Sequence, residues 1–260
     1  MDGLKPSPHN GGTQARGAGK HPRRGRRSSD QAEDHLIGAI LRGTYPPGAS
    51  LPAERELAAQ LGVSRPTLRE VLQRMARDGW VTIRPGQPAA VNDFWQEGNL
   101  NVLDRLARQA DRLSHDFVTQ LLEVRAVLAP AFGRAAVARS PARVVAVLAG
   151  HDALDDDPNA FAAFDWQWQV HLARLSGNYV FPLLLNGFAA LYGRAARQYF
   201  ARAENRAASL RFYGRLLEAA MVRDAERAAS VIAEAMHESV RLWQATAAAP
   251  RLEGAPAGAG

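Results

Sequence analysis

Two arginines lie four residues apart in a segment whose other residue types suit contact with nucleic acid. The segment Ser64-Arg65-Pro66-Thr67-Leu68-Arg69 combines two guanidinium groups with two hydroxyls. Arginine pairs bidentately with guanine O6 and N7 and is the commonest reader of base edges in the major groove. Hydroxyl side chains bond phosphate oxygens and fix the position of a protein on the duplex. These residue types suit a helix that enters the major groove, although most arginine pairs at this spacing only solvate a helix.

A helix is predicted to carry these side chains. Ser64 is a typical N-cap residue, and Pro66 is tolerated in a first turn, where its missing N–H would have no partner. The apolar residues that follow recur at i, i+3, i+4 and i+7, which places them on one buried face; they are Leu68, Val71, Leu72 and Met75. Arg65 and Arg69 therefore project from a different face into solvent.

The flanking sequence supplies the other elements of a small domain. Two apolar stripes at helical spacing precede this helix, separated by the Pro/Gly-rich segment 43–48. After Gly79 the hydrophobic period changes to two, with a Pro/Gly turn at 85–88 between short strands, which predicts a hairpin. Three helices and a hairpin in about 60 residues predict a winged helix-turn-helix. Gly86, at the turn of the wing, would approach the DNA backbone or the minor groove.

From Phe94 onward the chain reads as helices alone. Amphipathic stretches follow one another at roughly 98–109, 115–139, 141–153, 158–176, 180–202, 206–222 and 224–247. The fold class is therefore mainly α, with an N-terminal winged helix-turn-helix followed by an all-α bundle of six or seven helices. The predicted organisation is a disordered basic tail (1–29), the winged helix (30–93), a linker helix (94–110), the bundle (111–248) and a disordered tail (249–260).

Charge and composition exclude several classes of protein. The net charge of +6 resides in residues 1–29, and the rest of the chain is balanced at 25 basic and 25 acidic residues. Lys5 and Lys20 are the only lysines and cysteine is absent, so the folded part offers neither a Schiff-base lysine nor a thiolate nucleophile. No apolar run approaches the roughly 18 residues that span a bilayer. We expect a soluble, cytoplasmic protein with no membrane partner.

The basic tail has two interpretations. Residues 30–93 hold seven basic and eight acidic residues, so attraction to phosphate must come from local clustering, from dimerisation or from the tail. As a flexible arm, the tail would add sequence-independent phosphate contacts. As a disordered leader, it would have no role.

The motifs of the N-terminal segment resemble the winged-helix domain of the GntR superfamily of transcription regulators. They are Tyr45-Pro-Pro-Gly48, Leu51-Pro-Ala-Glu-Arg-Glu-Leu57, Leu61-Gly-Val-Ser-Arg65, Thr67-Leu-Arg-Glu-Val-Leu-Gln-Arg74 and Ala76-Arg-Asp-Gly-Trp80. The runs Val91-Asn-Asp-Phe-Trp95 and Leu100-Asn-Val-Leu103 are similar to its FadR-type, acyl-CoA-responsive members. The similarity thins beyond residue 106 but persists in Tyr199-Phe-Ala201 and in His237-Glu-Ser239 followed by Trp243.

The resemblance implies a homodimer on palindromic double-stranded DNA. It places Arg55, Ser64, Arg65, Thr67 and Arg69 on the operator and the wing tip in the minor groove. This chain departs from the family at that tip, where Pro85-Gly86-Gln87 replaces a histidine, a glycine and a lysine, leaving Arg84 as the neighbouring cation. The resemblance also implies an effector site that includes Tyr199, Ser239 and Trp243, with long-chain acyl-CoA as ligand and no cofactor.

A metal-dependent sensor is the main alternative for the bundle. The commoner sensor type of the superfamily holds a divalent metal through one aspartate and three histidines. Alignment with that type places Asp165 on the aspartate but Gln169, Tyr213 and Ala235 on the histidines, so one ligand of four remains. Because coordination by three imidazoles requires all three to converge, the sequence predicts no metal site. His171 and His237 lie two residues from expected ligand positions and should face elsewhere.

Two further functions stay open beside an acyl-CoA sensor. One is a GntR-type regulator whose bundle binds a small organic acid without a metal. The other is an enzyme built on the bundle, for which the sequence offers only scattered His, Asp and Glu as acid or base. The expected function is regulation of fatty-acid metabolism genes with release from the operator by long-chain acyl-CoA, and no enzymatic activity.

Overall fold

A computed structural model describes the backbone of residues 22–109 and 115–248, with side chains from 28 to 109 and from 115 to 245. Most of the predicted basic tail (1–21) and the predicted C-terminal tail (249–260) lie outside these residues. The described part contains eleven α-helices and one two-stranded sheet. The predicted fold class, mainly α with a winged helix-turn-helix ahead of a helical bundle, is confirmed.

The N-terminal domain is built from three helices and the wing. They are α1 (Pro22–Leu41), α2 (Glu54–Gln60), α3 (Arg65–Asp78), β1 (Val81–Thr82) and β2 (Ala90–Val91). Helix α1 begins before the predicted boundary at residue 30, so residues 22–29 are helical in the structure and not part of a disordered tail. The difference has a packing reason, since Ser29 and Ala32 are buried on the inner face of this helix.

Helix α3 has the predicted caps and the predicted inner face. The Ser64 side chain accepts a hydrogen bond from the Thr67 N–H, and Gly79 ends the helix at a left-handed φ of 91°. A Cβ at Gly79 would lie 2.4 Å from the Glu97 carbonyl oxygen, so no larger residue fits there. The inner face is fully buried and consists of Leu68, Val71, Leu72 and Met75.

The wing is shorter than its sequence suggests. Val81 pairs with Val91 and Thr82 with Ala90 in an antiparallel register, and Ser50 adds a bridge to Ala90. The hairpin cannot extend further because Pro85 and Pro88 lack the N–H that a ladder requires. The turn between the strands is exposed.

Two short helices connect the winged helix to the bundle. Helix α4 (Phe94–Glu97) and helix α5 (Asn101–Arg108) follow β2 directly. Phe94, Val102 and Leu106 are buried in the core of the N-terminal domain. The predicted linker helix is therefore packed against the domain that precedes it.

Six long or medium helices form the bundle. They are α6 (His115–Arg139), α7 (Pro141–Leu148), α8 (Pro158–Leu175), α9 (Val180–Phe200), α10 (Ala203–Met221) and α11 (Ala225–Ala248), with a 3₁₀ turn at His151–Ala153. Helices α6 and α11 approach closely, because a Cβ at Gly133 would lie 2.1 Å from Ile232 Cδ1. The bundle core centres on Phe132, Phe161, Trp168, Tyr213 and Leu216. In the described residues, no helix has the length and apolarity to cross a bilayer.

Candidate nucleic-acid interface and buried polar cluster

An open cleft of about 650 Å³ lies between α2, α3 and the wing. Four arginines and the wing turn line it, namely Arg55, Arg65, Arg69, Arg84 and Gly86. The sequence separates these residues by up to 31 positions, and the fold brings them onto one concave surface. A surface with several guanidinium groups and an exposed helix N-terminus suits the sugar-phosphate backbone and the base edges of DNA.

The N-terminus of α3 presents its first side chains to solvent. Arg65 is the first residue of the helix and is exposed. The hydroxyls of Ser64 and Thr67 lie 2.8 Å apart and hydrogen-bond to each other. These hydroxyls lie at the N-terminus of α3, where the helix dipole favours negative charge, so the arrangement suits a phosphate.

Arg69 has an acidic partner in the structure. Its Nε donates to Glu54 Oε2 over 2.7 Å, and its side chain remains 61% exposed. An exposed pair of this kind contributes about 0–1 kcal/mol. Arg69 can therefore exchange Glu54 for a phosphate or a guanine at little cost.

The wing tip consists of exposed residues that lack the basic side chain of the family. Gly86 adopts a left-handed φ of 73°, which gives the tight turn. Arg84 is exposed beside it and is the one basic residue among positions 81–91. A charged phosphate contact from positions 81–91 would use Arg84.

In the bundle, Asp165 is the centre of a buried polar cluster. Its carboxylate, 2% exposed, accepts hydrogen bonds from five side chains. They are Arg125 Nη2 at 2.8 Å, Trp168 Nε1 at 2.9 Å, Gln169 Nε2 at 3.0 Å, Tyr213 Oη at 2.9 Å and Tyr192 Oη. Arg125 Nε also donates to Gln169 Oε1 over 2.9 Å. The charges of Asp165 and Arg125 thus compensate each other inside a low-dielectric interior.

The cluster holds its members in fixed protonation states. Burial, reinforced by the negative charge of Asp165, raises the pKa of Tyr192 and of Tyr213 well above that of a free tyrosine. Burial also raises the pKa of Tyr199. Burial opposes the charge of Arg125, but Asp165 and the neighbouring tyrosines outweigh it, and the pKa of Arg125 is raised. The three tyrosines are neutral and Arg125 is charged at any physiological pH.

Three of the four positions that align with the metal ligands of the commoner sensor type belong to this cluster. Asp165, Gln169 and Tyr213 do converge, and their cationic partner is the guanidinium of Arg125. His171 and His237 are exposed, so both face away from the cluster as predicted. No group of three His, Cys, Asp or Glu in the described residues is arranged to hold a metal. The side chains present make a salt bridge and offer no coordination sphere.

Two small cavities flank this cluster. One, of about 40 Å³, is lined by the predicted effector residues Tyr199, Ser239 and Trp243. The other, of about 50 Å³, is almost wholly apolar and lies between α6, α8 and α9. Arg125 and Tyr192 border both cavities. The polar cluster therefore lies between two cavities in an otherwise apolar interior.

Trp243 is braced at the edge of the first cavity. Its Nε1 donates to the His115 carbonyl oxygen over 3.3 Å, and its ring stacks on the imidazole of His115 at a centroid distance of 5.0 Å. Ser239 donates to the Met236 carbonyl oxygen over 2.7 Å. Trp243 therefore joins α11 to the start of α6, whereas the hydrogen bond of Ser239 lies within α11.

Sequence reasoning missed Arg125. The signal was present, because Arg125 shares the inner stripe of α6 with Val118, Ala129 and Phe132, where a charged residue requires a buried partner. Asp165 was identified as a lone remaining ligand, and its pairing with Arg125, forty residues away, appears only in the fold.

The fold and the cleft define the class of protein, a winged-helix DNA-binding regulator with an all-helical second domain. Residues 28–91 match the gntR family of bacterial regulatory proteins and residues 92–250 match the FadR C-terminal domain. The chain therefore belongs to the GntR family, in the branch that carries a FadR C-terminal domain.

Curated relatives and a solved structure agree with this assignment. The chain is 45% identical over 216 residues to the fatty acid metabolism regulator protein of Edwardsiella ictaluri, a match that covers 82% of this chain and 89% of that protein. It is 41% identical over 213 residues to the protein of the same name from Shewanella frigidimarina, with the same coverage. The structure of Lar from Listeria monocytogenes superposes with a TM-score of 0.56 at 18% identity, covering 86% of this chain and 97% of that one, which supports the fold alone.

Proposed function

We propose that this protein regulates transcription of fatty-acid metabolism genes and leaves its operator when long-chain acyl-CoA binds the bundle. The cationic cleft supports the first half, and the relatives, which are fatty acid metabolism regulator proteins, indicate the class of genes. The domains proposed are DNA binding at 30–93, extended by the start of α1 at Pro22, a linker at 94–110, and effector binding and dimerisation at 111–248.

DNA contacts are proposed for the residues of the cleft and of the capped helix end. They are Arg55, Ser64, Arg65, Thr67, Arg69, Arg84 and Gly86. A homodimer would present two copies of α3 to successive major grooves of a palindrome, about 34 Å apart. Because sequence is read by base contacts and position is set by phosphates, Arg65 and Arg69 carry specificity while Ser64, Thr67 and Arg84 position the domain.

The match of residues 92–250 to the FadR C-terminal domain supports the sensor half, and the size of the two cavities beside the polar cluster bears on how an acyl chain could enter. Pockets for drug-sized ligands measure about 300–1,000 Å³, whereas the cavities here measure about 40 and 50 Å³. A long acyl chain therefore enters only if α6, α9 and α11 move apart. A ligand that binds only an opened bundle shifts the population toward that conformation, which is what release from DNA requires.

The ligand contacts follow from the lining of the first cavity. Tyr199, Ser239 and Trp243 would meet the acyl group or the thioester. Four arginines in α9, in α10 and just before it could pair with the CoA phosphates, and two of them, Arg202 and Arg215, already pair with Glu204 and Glu234. Arg194 and Arg197 are exposed on α9 beside the cavity lining and are better placed for this role.

Operator release by oleoyl-CoA is the direct test. Purified protein is titrated on a labelled FadR-type palindrome with and without oleoyl-CoA, and with oleate and CoA as separate controls. We expect oleoyl-CoA to weaken operator binding and neither control to do so. An operator affinity that saturating oleoyl-CoA leaves unchanged contradicts the sensor half of the proposal.

A cavity-filling substitution makes the test specific to the site. Ala195 borders both cavities, so Ala195→Phe should block the acyl chain at an overpacking cost of about 1–3 kcal/mol. The variant should keep its operator affinity and lose its response to oleoyl-CoA. Ala207→Phe, on the exposed face of α10, is the matched control and should respond like the wild type.

A small organic acid is the second candidate effector, and the cavity volumes favour it. A short carboxylate needs less opening than an acyl chain, and the guanidinium of Arg125 borders both cavities. Against it, Arg125 is already paired with Asp165 over 2.8 Å. Calorimetry with oleoyl-CoA and with short carboxylates separates the two candidates.

A further inference from the structure

A buried carboxylate links the helix that faces DNA to the linker helix. Glu33 of α1 is buried, and its Oε2 accepts from Arg74 Nε at 2.8 Å and from Arg74 Nη2 at 2.6 Å. Its Oε1 lies 2.7 Å from Arg105 Nη2 of α5. That oxygen has no aligned hydrogen-bond donor among the described residues, so the ion pair with Arg105 is what compensates it. Glu33 thus joins α3 to α5 through two arginines.

A second polar contact ties the same two helices together one turn beyond Arg74, at the C-terminal end of α3. Asp78, the last residue of α3, is buried and accepts from Asn101 Nδ2 over 3.0 Å at the start of α5. Asn99 Nδ2 donates to the Arg77 carbonyl oxygen over 3.0 Å. These contacts hold the last turns of α3, from Arg74 to Asp78, against α5 and the residues just before it.

On its other side, α5 packs against the bundle. A Cβ at Gly187 of α9 would lie 3.2 Å from Leu100 Cβ, so the two backbones approach closely. Helix α9 also carries Tyr192 and Tyr199, which line the first cavity. A ligand that displaces α9 would therefore also displace α5.

We propose that Arg105 is a positioning residue for operator recognition: through Glu33 and Arg74 it fixes the recognition helix α3 to the linker helix α5. When α5 is displaced, α3 moves with it, and the directions of Arg65 and Arg69 change. Only the part of this proposal that concerns release rests on the acyl-CoA sensor proposed above.

The test compares three substitutions on α5. Arg105→Gln removes the ion pair with Glu33 and a longer one, of 3.7 Å, with Asp34 of the same helix α1. Arg105→Lys keeps the charge without the planar fork, and Arg108→Gln breaks only an exposed pair with Asp104 on its own helix. Binding of each variant is measured on operator and on unrelated DNA, without ligand and with oleoyl-CoA. Melting curves and oleoyl-CoA calorimetry monitor the fold and the ligand site.

We expect Arg105→Gln to lose about tenfold in operator affinity without ligand, within the usual range of coupling between sites. Binding to unrelated DNA should not change, because the arginines of the cleft remain. Release by oleoyl-CoA should shrink while oleoyl-CoA binding itself is unchanged. Arg105→Lys should fall between the wild type and Arg105→Gln, and Arg108→Gln should match the wild type.

Two results would overturn the proposal. One is wild-type affinity of Arg105→Gln for both DNAs, and the other is an equal loss on both DNAs, which a merely destabilised domain would show; each leaves the ratio of operator to unrelated-DNA affinity at its wild-type value. If Arg105→Gln fails to fold, the ratio in Arg105→Lys decides in the same way. If oleoyl-CoA fails to release the wild type, the acyl-CoA proposal fails and the ligand-free ratio still tests Arg105.

Discussion

The arginines of the winged helix and the arginine at the centre of the bundle have opposite surroundings. Arg65 and Arg69 are exposed, and the one described partner of Arg69 is a surface carboxylate. Arg125 is enclosed and its charge is balanced by Asp165 at 2.8 Å. One residue type therefore serves two purposes. An exposed guanidinium is available to an incoming anion, whereas a buried and fully paired one supports the structure that a ligand must disturb.

The difference has an energetic side. Breaking an exposed pair costs little because water replaces the partner. Removing one member of a buried pair leaves an uncompensated charge in a low dielectric. Substitutions in the cleft should thus alter binding and leave stability unchanged, and substitutions in the cluster should alter stability first.

The largest effect should come from removal of the buried carboxylate. Asp165→Ala strands Arg125 and removes the acceptor of four further donors, so the free energy of unfolding should fall by about 3–5 kcal/mol. Chemical denaturation measures this loss. Glu226→Gln, which breaks the exposed pair with Arg134, is the control and should cost less than about 1 kcal/mol. Equal losses of unfolding free energy in the two variants would show that the buried pair and the exposed pair contribute alike.

Alkaline pH should weaken the bundle through its buried tyrosines. The pKa of Tyr213 is raised by burial in the folded state, so this group stabilises the fold fully below the pKa of an unfolded tyrosine, near 10. As pH rises further, the unfolded chain loses the proton first, and each such tyrosine lowers stability by about 1.4 kcal/mol per pH unit. Tyr213→Phe should flatten the decline of unfolding free energy between about pH 10 and 12. An unchanged slope in this variant would mean that Tyr213 titrates normally.

The sequence predicted the elements because their signals are local. Ser64, Gly79 and the apolar spacing of α3 each act within one or two turns, and the helix has the expected caps and inner face. The start of α1 was placed wrongly because burial of Ser29 depends on packing. The wing strands came out short because two prolines limit a ladder that the alternating pattern alone would extend.

The buried polar cluster could not be predicted to the same degree. Asp165, Gln169 and Tyr213 were identified as aligned positions, and the fold brings them together as that alignment implies. The identity of their cationic partner depends on how α6 packs on α8, a contact between residues forty positions apart. The same holds for Glu33, whose two arginines come from α3 and α5. The apolar stripe of α6 marks position 125 as inward-facing, but the partner of a buried charged residue is specified by tertiary contacts, and no local period identifies it.

Removing a guanidinium from the cleft should affect binding alone. Arg65→Ala should weaken operator binding by about 1–3 kcal/mol if Arg65 reads a base, and should relax specificity at that base pair. Its unfolding free energy should stay within about 0.5 kcal/mol of the wild type, because the side chain is exposed. Arg211→Ala, at an exposed position of α10, is the matched control and should change neither quantity. A loss of stability in Arg65→Ala would show that Arg65, like Arg125, supports the fold.

The smallest effect concerns the wing tip, where the exposed side chain of Gln87 stands in place of the family's lysine. Gln87→Lys should restore one phosphate contact, so the plot of log affinity against log salt should steepen by about 0.9. The gain should be the same on operator and unrelated DNA, since a phosphate contact carries no sequence information. Gln198→Lys makes the same charge change at an exposed position of α9 and should leave the slope unchanged. A gain confined to the operator would instead show that the wing reads bases, and a slope unaffected by Gln87→Lys would leave Arg84 as the cation that the wing contributes.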